Sequence, residues 1–119
     1  MNTKEIGRAG EEKAVQWLIQ NNFKIIDRNF SKRGFEIDII AEDANGILRF
    51  VEVKTIVDGE VEDAFVSLEA RNMRRYFNGV EAFICERPIY KDRQMAMDVM
   101  VLKSDTVSLY TNITGDLVI

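Results

Sequence analysis

Acidic and basic side chains alternate with apolar residues in two neighbouring segments, and their spacing could support metal chemistry. Glu36 and Asp38 alternate in this way in GFEIDIIAE, and Glu52 and Lys54 do so in ILRFVEVKT. Side chains two residues apart in a β-strand lie on the same face. If the two segments form a hairpin, Asp38 and Glu52 would lie near each other beside the Lys54 ammonium group, although the register cannot be read from the sequence.

Two carboxylates held this close favour a bound cation. At about 4 Å they repel by roughly 4 kcal/mol at an effective dielectric near 20, and a proton or a cation relieves that repulsion. Mg²⁺ binds hard oxygen ligands and keeps water and substrate phosphate in its shell, so two or three protein carboxylates suffice. A water on the metal can attack a phosphate. We therefore expect Mg²⁺ or Mn²⁺ here, with Lys54 orienting the water or stabilising the developing charge.

Glu11 is a third candidate carboxylate. It lies one helical step from Gly7, Ala14, Val15 and Leu18, at the edge of the apolar stripe of a predicted helix. A carboxylate at that edge can face the sheet. We expect Glu11 to act there as a further metal ligand or as the base that holds the attacking water.

Each of these residues also has an interpretation without catalysis. Acidic and basic side chains on one face of a two-stranded ribbon are usually solvated, and a Glu-Val-Lys triplet alone is a weak signal. Glu11 by itself is more often a helix-surface residue. Arg71, Arg74 and Arg75 are, alone, more often a solvated helix face than a phosphate contact. Only the combination of segments favours a functional site.

Hydrophobic periodicity predicts the elements that position these residues. Apolar residues at helical spacing predict a first helix over 4–20, ending near 21–22. FKIIDRNF and GFEIDIIAE predict two strands separated by SKRG, and turn residues at 43–46 join the second of them to ILRFVEVKT as an antiparallel hairpin. The second strand should carry Phe35, Ile37 and Ile39 on one face.

The rest of the chain predicts a second helix and later strands. The helix should run from about 64 to 78, and EAFICERPI and MAMDVMVL should be strands, with a further strand at VSLYTNI. The apolar stripe of that helix comprises Phe65, Leu68, Tyr76, Phe77 and Val80. The order α, β, β, β, α, β, β predicts an α/β fold, a central mixed sheet flanked by helices, in one domain over 1–119.

Composition excludes several classes of function. The chain has no histidine, which excludes Ser/His/Asp triads, His-ligated zinc and histidine acid/base chemistry. Its net charge of −4 argues against indiscriminate adhesion to DNA or membranes. The charged N-terminal segment lacks the apolar run of a signal peptide or membrane span, so we expect a cytoplasmic protein without a membrane partner. Cys85, in the run AFIC, is expected to be a buried small hydrophobe.

The segments GRAGEEKA, RNF, EIDIIAED and LRFVEVKT, in that order, resemble the YraN family of bacterial proteins. The resemblance covers roughly residues 5–100 and implies the restriction-endonuclease-like, PD-(D/E)XK fold that is also found in archaeal Holliday-junction resolvases. It further implies that Asp38, at the end of the hairpin's first strand, and Glu52 hold a metal with the backbone carbonyl of Val53. Glu11 would assist, and Lys54 would serve the water or the scissile phosphate.

The chain also differs from the family pattern at several positions. Phe35 stands where a Gly usually precedes Glu36, Ile56 replaces an Arg two residues after the lysine, and Arg71 replaces a lysine of the second helix. These changes concern substrate contacts more than metal binding. Asp98 matches a later aspartate of the family, and we interpret it as structural rather than catalytic.

The resemblance and the residues together favour a metal-dependent endonuclease that hydrolyses DNA phosphodiesters, including branched, Holliday-junction-like DNA. Basic residues are available to contact phosphates: Lys32, Arg33, Arg71, Arg74 and Arg75. The alternatives are a catalytically silent nucleic-acid-binding or protein-interaction module and a structural partner in an assembly, such as a homodimer. Retention of all four site residues favours the enzyme, while DNA and RNA are not distinguished.

Overall fold

The computed structural model describes residues 2–32, 35–57, 73–104 and 106–111, with the side chains of residues 73–75 outside that description. Several expectations therefore fall outside the described residues. They include the beginning of the second predicted helix, with Phe65 and Leu68, and the residues Arg33 and Arg71. Arg74 and Arg75 lie in a described helix, and their side chains fall outside the described part of the structure.

The described elements follow the order α, β, β, β, α, β, β. They are α1 (Thr3–Gln20), β1 (Lys24–Lys32), β2 (Phe35–Glu42), β3 (Leu48–Ile56), α2 (Met73–Glu86), a 3₁₀ turn (Pro88–Tyr90), β4 (Met95–Lys103) and β5 (Thr106–Tyr110). The strands form one five-stranded sheet in the order β1-β2-β3-β4-β5. Only β3 and β4 pair in parallel among them, so the sheet is mixed. The predicted α/β fold is confirmed, and it agrees with a restriction-endonuclease-like architecture.

Asparagine side chains form hydrogen bonds with the backbone at both ends of helix α1. The side chain of Asn2 accepts a hydrogen bond from the backbone N–H of Glu5 at 2.9 Å, which satisfies one free donor of the first turn. The side-chain amide of Asn21 donates to the carbonyl of Trp17 at 2.8 Å at the other end. The predicted limits of this helix are confirmed. None of the described helices combines the length and apolarity that crossing a membrane requires.

The hairpin of β2 and β3 is closed at its turn by Asp43 and Arg49. Asp43 Oδ1 accepts hydrogen bonds from the N–H groups of Asn45 and Ile47 at 2.8 and 3.0 Å, and Gly46 has a positive φ of 82°. Arg49 forms ion pairs with Asp43 at 3.1 Å and with the fully buried Asp98 at 3.3 Å. The predicted turn is confirmed, and this ion pair supports a structural role for Asp98.

The two helices pack on opposite faces of the sheet. The cluster beneath α1 comprises Ala14, Val15, Leu18, Ile39, Ala41, Val51, Met100 and Leu102. The cluster beneath α2 comprises Phe30, Ile37, Ile40, Leu48, Phe50 and Phe83. Each helix approaches the sheet closely at a glycine: a Cβ on Gly10 would overlap the hydroxyl of Thr55, and a Cβ on Gly79 would lie 2.9 Å from Ile37 Cδ1.

The prediction that Phe35, Ile37 and Ile39 share one face of β2 is wrong. Phe35 and Ile37 pack in the α2 cluster, whereas Ile39 packs in the α1 cluster. In a regular strand all three would share a face. The alternation therefore breaks between Ile37 and Ile39, and Asp38 is the residue at the break.

The strand predicted at EAFICERPI is also wrong. Residues 81–86 form the C-terminal half of α2, and Pro88–Tyr90 form the 3₁₀ turn. Short apolar runs do not distinguish a strand from a buried helix, and here Tyr76, Val80 and Phe83 share one side of the helix. The element order still holds because β5, which was predicted as a further strand, supplies the last one. Because Cys85 lies on the outer side of α2, it is exposed rather than buried.

Candidate metal centre

Strands β2 and β3 stop pairing at the position where the predicted site residues lie. Their last paired residues are Ile39 and Val51. Two residues farther along β3, the backbone N–H of Val53 donates to Asp38 Oδ2 at 2.8 Å. A backbone carbonyl of β2 would accept this bond in a continuous antiparallel pair. The Asp38 carboxylate thus occupies the gap where the hairpin opens.

The environment of Asp38 opposes a negative charge. Burial, followed by the negative charge of Glu52, raises the pKa of the Asp38 carboxyl to about 8. The Val53 hydrogen bond lowers this pKa, and the charges of Glu11 and Glu36 raise it further. A proton or a cation that compensates the charge at Asp38 therefore stabilises the folded protein.

Glu52 and Lys54 share one face of β3, as predicted. The Lys54 Nζ lies 3.8 Å from Glu52 Oε1, and the two side chains are 28% and 23% exposed. This separation is an ion pair but is longer than a hydrogen bond. The ammonium group is therefore close to the carboxylate and still reaches solvent.

Glu11 approaches the same opening from α1. Its side chain is half-buried, and its charge acts on Asp38. The adjacent Gly10 lies directly against Thr55, one residue beyond Lys54. The close helix–strand contact holds Glu11 beside β3, in agreement with the prediction that this carboxylate faces the sheet.

The donors at the opening suit a hard cation with an incomplete protein shell. No group of three or more His, Cys, Asp and Glu side chains within the described residues is arranged as a ready metal cluster. Mg²⁺ needs fewer, because one or two carboxylates with water and substrate phosphate complete its shell. The N–H and carbonyl of one strand residue point to the same side in a hydrogen-bonded pair, so we expect the Val53 carbonyl to face this gap too. The donor chemistry of Asp38 and Glu52 fits Mg²⁺ or Mn²⁺.

Among the expected phosphate-contacting residues, the structure describes the side chain of Lys32 alone. Lys32 pairs with Glu86 at 2.9 Å and lies 5.6 Å from the centre of the Phe30 ring. The other four residues of that set fall outside the described side chains. The Glu86 carboxylate competes with a phosphate for Lys32, and contact of this residue with nucleic acid stays a prediction.

Two features of the site were not identified from the residue pattern. Glu36 was placed on the strand face of Asp38, but it was not counted among the site residues, although its charge acts on Asp38. The contact of Gly10 with Thr55 joins α1 to β3 beside Glu11. Gly10 stands in the segment GRAGEEKA, and a small residue on the apolar face of a helix is a signal of close packing.

Comparisons with known proteins identify a family without a described activity. A model described as "Uncharacterised protein family UPF0102" matches residues 10–102. A UPF0102 protein of Caldicellulosiruptor saccharolyticus is 35% identical over 119 residues, which cover 98% of this chain and 91% of that protein. One of Fusobacterium nucleatum is 32% identical and covers 98% and 97%, and one of Treponema denticola is 31% identical and covers 84% and 82%.

Replacement of Gly10 tests the contact that positions Glu11. We expect Gly10→Ala to lower the free energy of unfolding by about 1–3 kcal/mol, because the methyl group overlaps Thr55. The second change in Gly10→Ala/Thr55→Ala should recover most of this loss. Gly7→Ala is the matched control, because nothing lies within 4 Å of a Cβ there, and it should stabilise α1 by roughly 0.5–1 kcal/mol. Urea unfolding measures all four proteins, and equal effects at both glycines would contradict the close contact.

The raised pKa of Asp38 predicts the pH dependence of stability. Between about 4 and about 8 the folded state retains a proton that the unfolded state has lost, so the contribution of Asp38 to stability is largest below pH 4 and falls as pH rises to 8. The fall attributable to this carboxyl should be roughly 1 kcal/mol per pH unit and should cease above pH 8. Chemical unfolding at several pH values should show a smaller decline in Asp38→Asn than in the wild type. Identical pH profiles would contradict the assignment.

Proposed function

This chain belongs to the UPF0102 family, and we propose that it is a metal-dependent endonuclease that hydrolyses phosphodiester bonds in DNA. One observation carries the proposal, which is that the Asp38 carboxylate fills the gap between β2 and β3 and accepts a hydrogen bond from Val53. Burial and the neighbouring charges of Glu52 and Glu11 oppose the negative charge of this carboxylate, and a bound cation would offset that effect.

The residues of the opening divide the work of hydrolysis. Asp38 and Glu52, with the Val53 carbonyl, would hold Mg²⁺. When bound, the ion supplies charge neutralisation at the phosphate and lowers the pKa of water. Glu11, on the helix beside the opening, would hold the attacking water and accept its proton. These roles require only carboxylates and a backbone oxygen, which agrees with the absence of histidine from the chain.

Lys54 supplies a positive charge beside Glu52, one of the proposed metal ligands. Its ammonium group lies 3.8 Å from Glu52 and retains partial exposure to solvent. A phosphate oxygen that enters the opening can therefore contact Lys54 without displacing it from a tight hydrogen bond. The lysine would stabilise the charge that builds up on the phosphate during attack, where a fixed cation is most effective.

The net negative charge of the chain restricts the part of its surface that can bind nucleic acid. The net charge of −4 opposes general adhesion to a polyanion, so productive binding depends on local basic groups and on the metal. Such an arrangement favours a substrate whose shape brings a phosphate into the opening. We therefore propose branched DNA as a substrate, and linear and single-stranded DNA serve as comparisons.

A cleavage assay tests the proposed activity. Purified protein is incubated with labelled linear duplex, single-stranded and four-way-junction DNA, in Mg²⁺, Mn²⁺ or EDTA. We expect cleavage that EDTA abolishes and that Asp38→Asn and Glu52→Gln each reduce by at least about a hundredfold, because each variant removes the negative charge of a metal ligand. Asp92→Asn and Glu81→Gln are matched controls at exposed carboxylates and should cleave as the wild type does.

Thermal unfolding in Mg²⁺ separates this enzyme from a silent binding module on the same fold. Mg²⁺ should raise the melting temperature of the wild type and of both controls, but not that of Asp38→Asn, because binding to the folded state alone stabilises it. A metal-dependent rise without cleavage of any DNA would contradict the nuclease and favour the silent module. If neither cleavage nor a metal-dependent rise in melting temperature occurs, the proposed metal site is contradicted as well.

A further inference from the structure

Strands β1 and β2 pair with a register shift between Ile25 and Asp27, and farther along β1 their pairing skips one position, which lies directly opposite Asp38. Arg28 pairs with Ile39, and Phe30 pairs with Ile37, so the residue between them on β1, Asn29, faces Asp38. The register is the same on both sides of this position. No residue is therefore inserted in one strand alone, and the irregularity is shared by the two.

At this position, the side chains of both strands change the face of the sheet on which they lie. Arg28 reaches α1, where it pairs with Glu12 at 3.0 Å, whereas Phe30 packs on the opposite side of the sheet, 5.5 Å from the ring of Phe83. On β2, Ile39 and Ile37 diverge in the same way. Residues two apart share a face in a regular strand, so the backbone must turn over within a single residue on each strand.

Asn29 has the backbone conformation that permits this turn. Its φ is +52°, which lies in the left-handed region, and it occurs inside a strand rather than in a turn. Few non-glycine residues adopt this conformation, and asparagine does so several-fold more readily than most. Residues with branched side chains would be strained there. The position thus demands a residue of this kind if the face exchange is to persist.

The face exchange directs the Asp38 side chain toward β3. Regular alternation would place Asp38 on the face opposite Ile37 and Ile39, with the pairing of β2 and β3 free to continue. Instead that pairing ends at Ile39, and the carboxylate accepts the Val53 N–H at 2.8 Å. The irregular pair of Asn29 and Asp38 thus coincides with the opening of the hairpin.

We infer that Asn29 is a positioning residue whose left-handed backbone turns the Asp38 carboxylate into the gap between β2 and β3. Asn29 acts through the strand conformation and not through its amide group. The contribution to metal binding rests on the proposed nuclease function. The effect on the bond between Asp38 and Val53 does not, because that bond is present in the protein alone.

Amide hydrogen exchange at Val53 measures this effect directly and needs neither metal nor DNA. We expect Asn29→Gly to keep the slow exchange of the Val53 amide, because glycine adopts a positive φ readily. Asn29→Val and the milder Asn29→Ala should each speed this exchange by at least about tenfold relative to the glycine variant, since the bond to Asp38 is lost. Asp38→Ala gives the rate expected without that bond.

Asn22→Val is the control for a general loss of stability. Asn22 also has a positive φ, 69°, but it lies in the turn between α1 and β1. The control should lower the melting temperature while leaving the Val53 amide slower than in the Asn29→Ala protein. Wild-type exchange at Val53 in Asn29→Ala would overturn the inference, and so would equally fast exchange in Asn29→Gly, which would assign the effect to the side-chain amide.

The metal-dependent part has a separate measurement. Mg²⁺ should raise the melting temperature of Asn29→Gly by as much as that of the wild type, and it should raise that of Asn29→Ala by less. If no protein, including the wild type, responds to Mg²⁺, the proposed function fails while the Val53 exchange still decides the role of Asn29. A full Mg²⁺ response in Asn29→Ala would contradict the link to metal binding.

Discussion

The hydrogen bond from the Val53 N–H to the Asp38 carboxylate is the contact on which the site depends. It places an acidic side chain where a strand would normally supply a backbone carbonyl, at the point where the pairing of β2 and β3 ends. Burial then makes the charge of Asp38 costly, and Glu52 and Glu11 increase that cost. A bound cation would relieve all three effects at once, and this is the physical basis of the proposed metal site.

The rest of the fold holds this opening in place from several directions. At the other end of the hairpin, Arg49 joins Asp43 to the buried Asp98, so the strands are tied together at the turn and separate only near Asp38. Helix α1 lies close to β3 through Gly10, and α2 lies close to β2 through Gly79. The two described helices pack against different strands of the hairpin and on opposite faces of the sheet. Movement of either strand would therefore disturb a tightly packed helix.

Much of this arrangement could be predicted from residue patterns, and the predictions that were wrong have physical causes. The period of two around Asp38 and Glu52, and the turn at 43–46, correctly indicated the hairpin. The period could not reveal the exchange of faces at Asp38, because that depends on the left-handed backbone of Asn29 in another strand. EAFICERPI was assigned to a strand because a short apolar run suits either structure, and packing of Phe83 against Phe30 and Phe50 decides for a helix.

The most direct test of the site is to locate a bound ion in the folded protein. Mn²⁺ broadens the signals of nearby backbone amides, so a titration of isotope-labelled protein with substoichiometric Mn²⁺ maps its position. We expect the amides of Asp38, Val53 and Lys54 to broaden first, and we expect Asp38→Asn to abolish this selectivity. Broadening centred instead on the acidic turn at Glu42 and Asp43, or an unselective loss of signal that Asp38→Asn leaves unchanged, would contradict a metal site between β2 and β3.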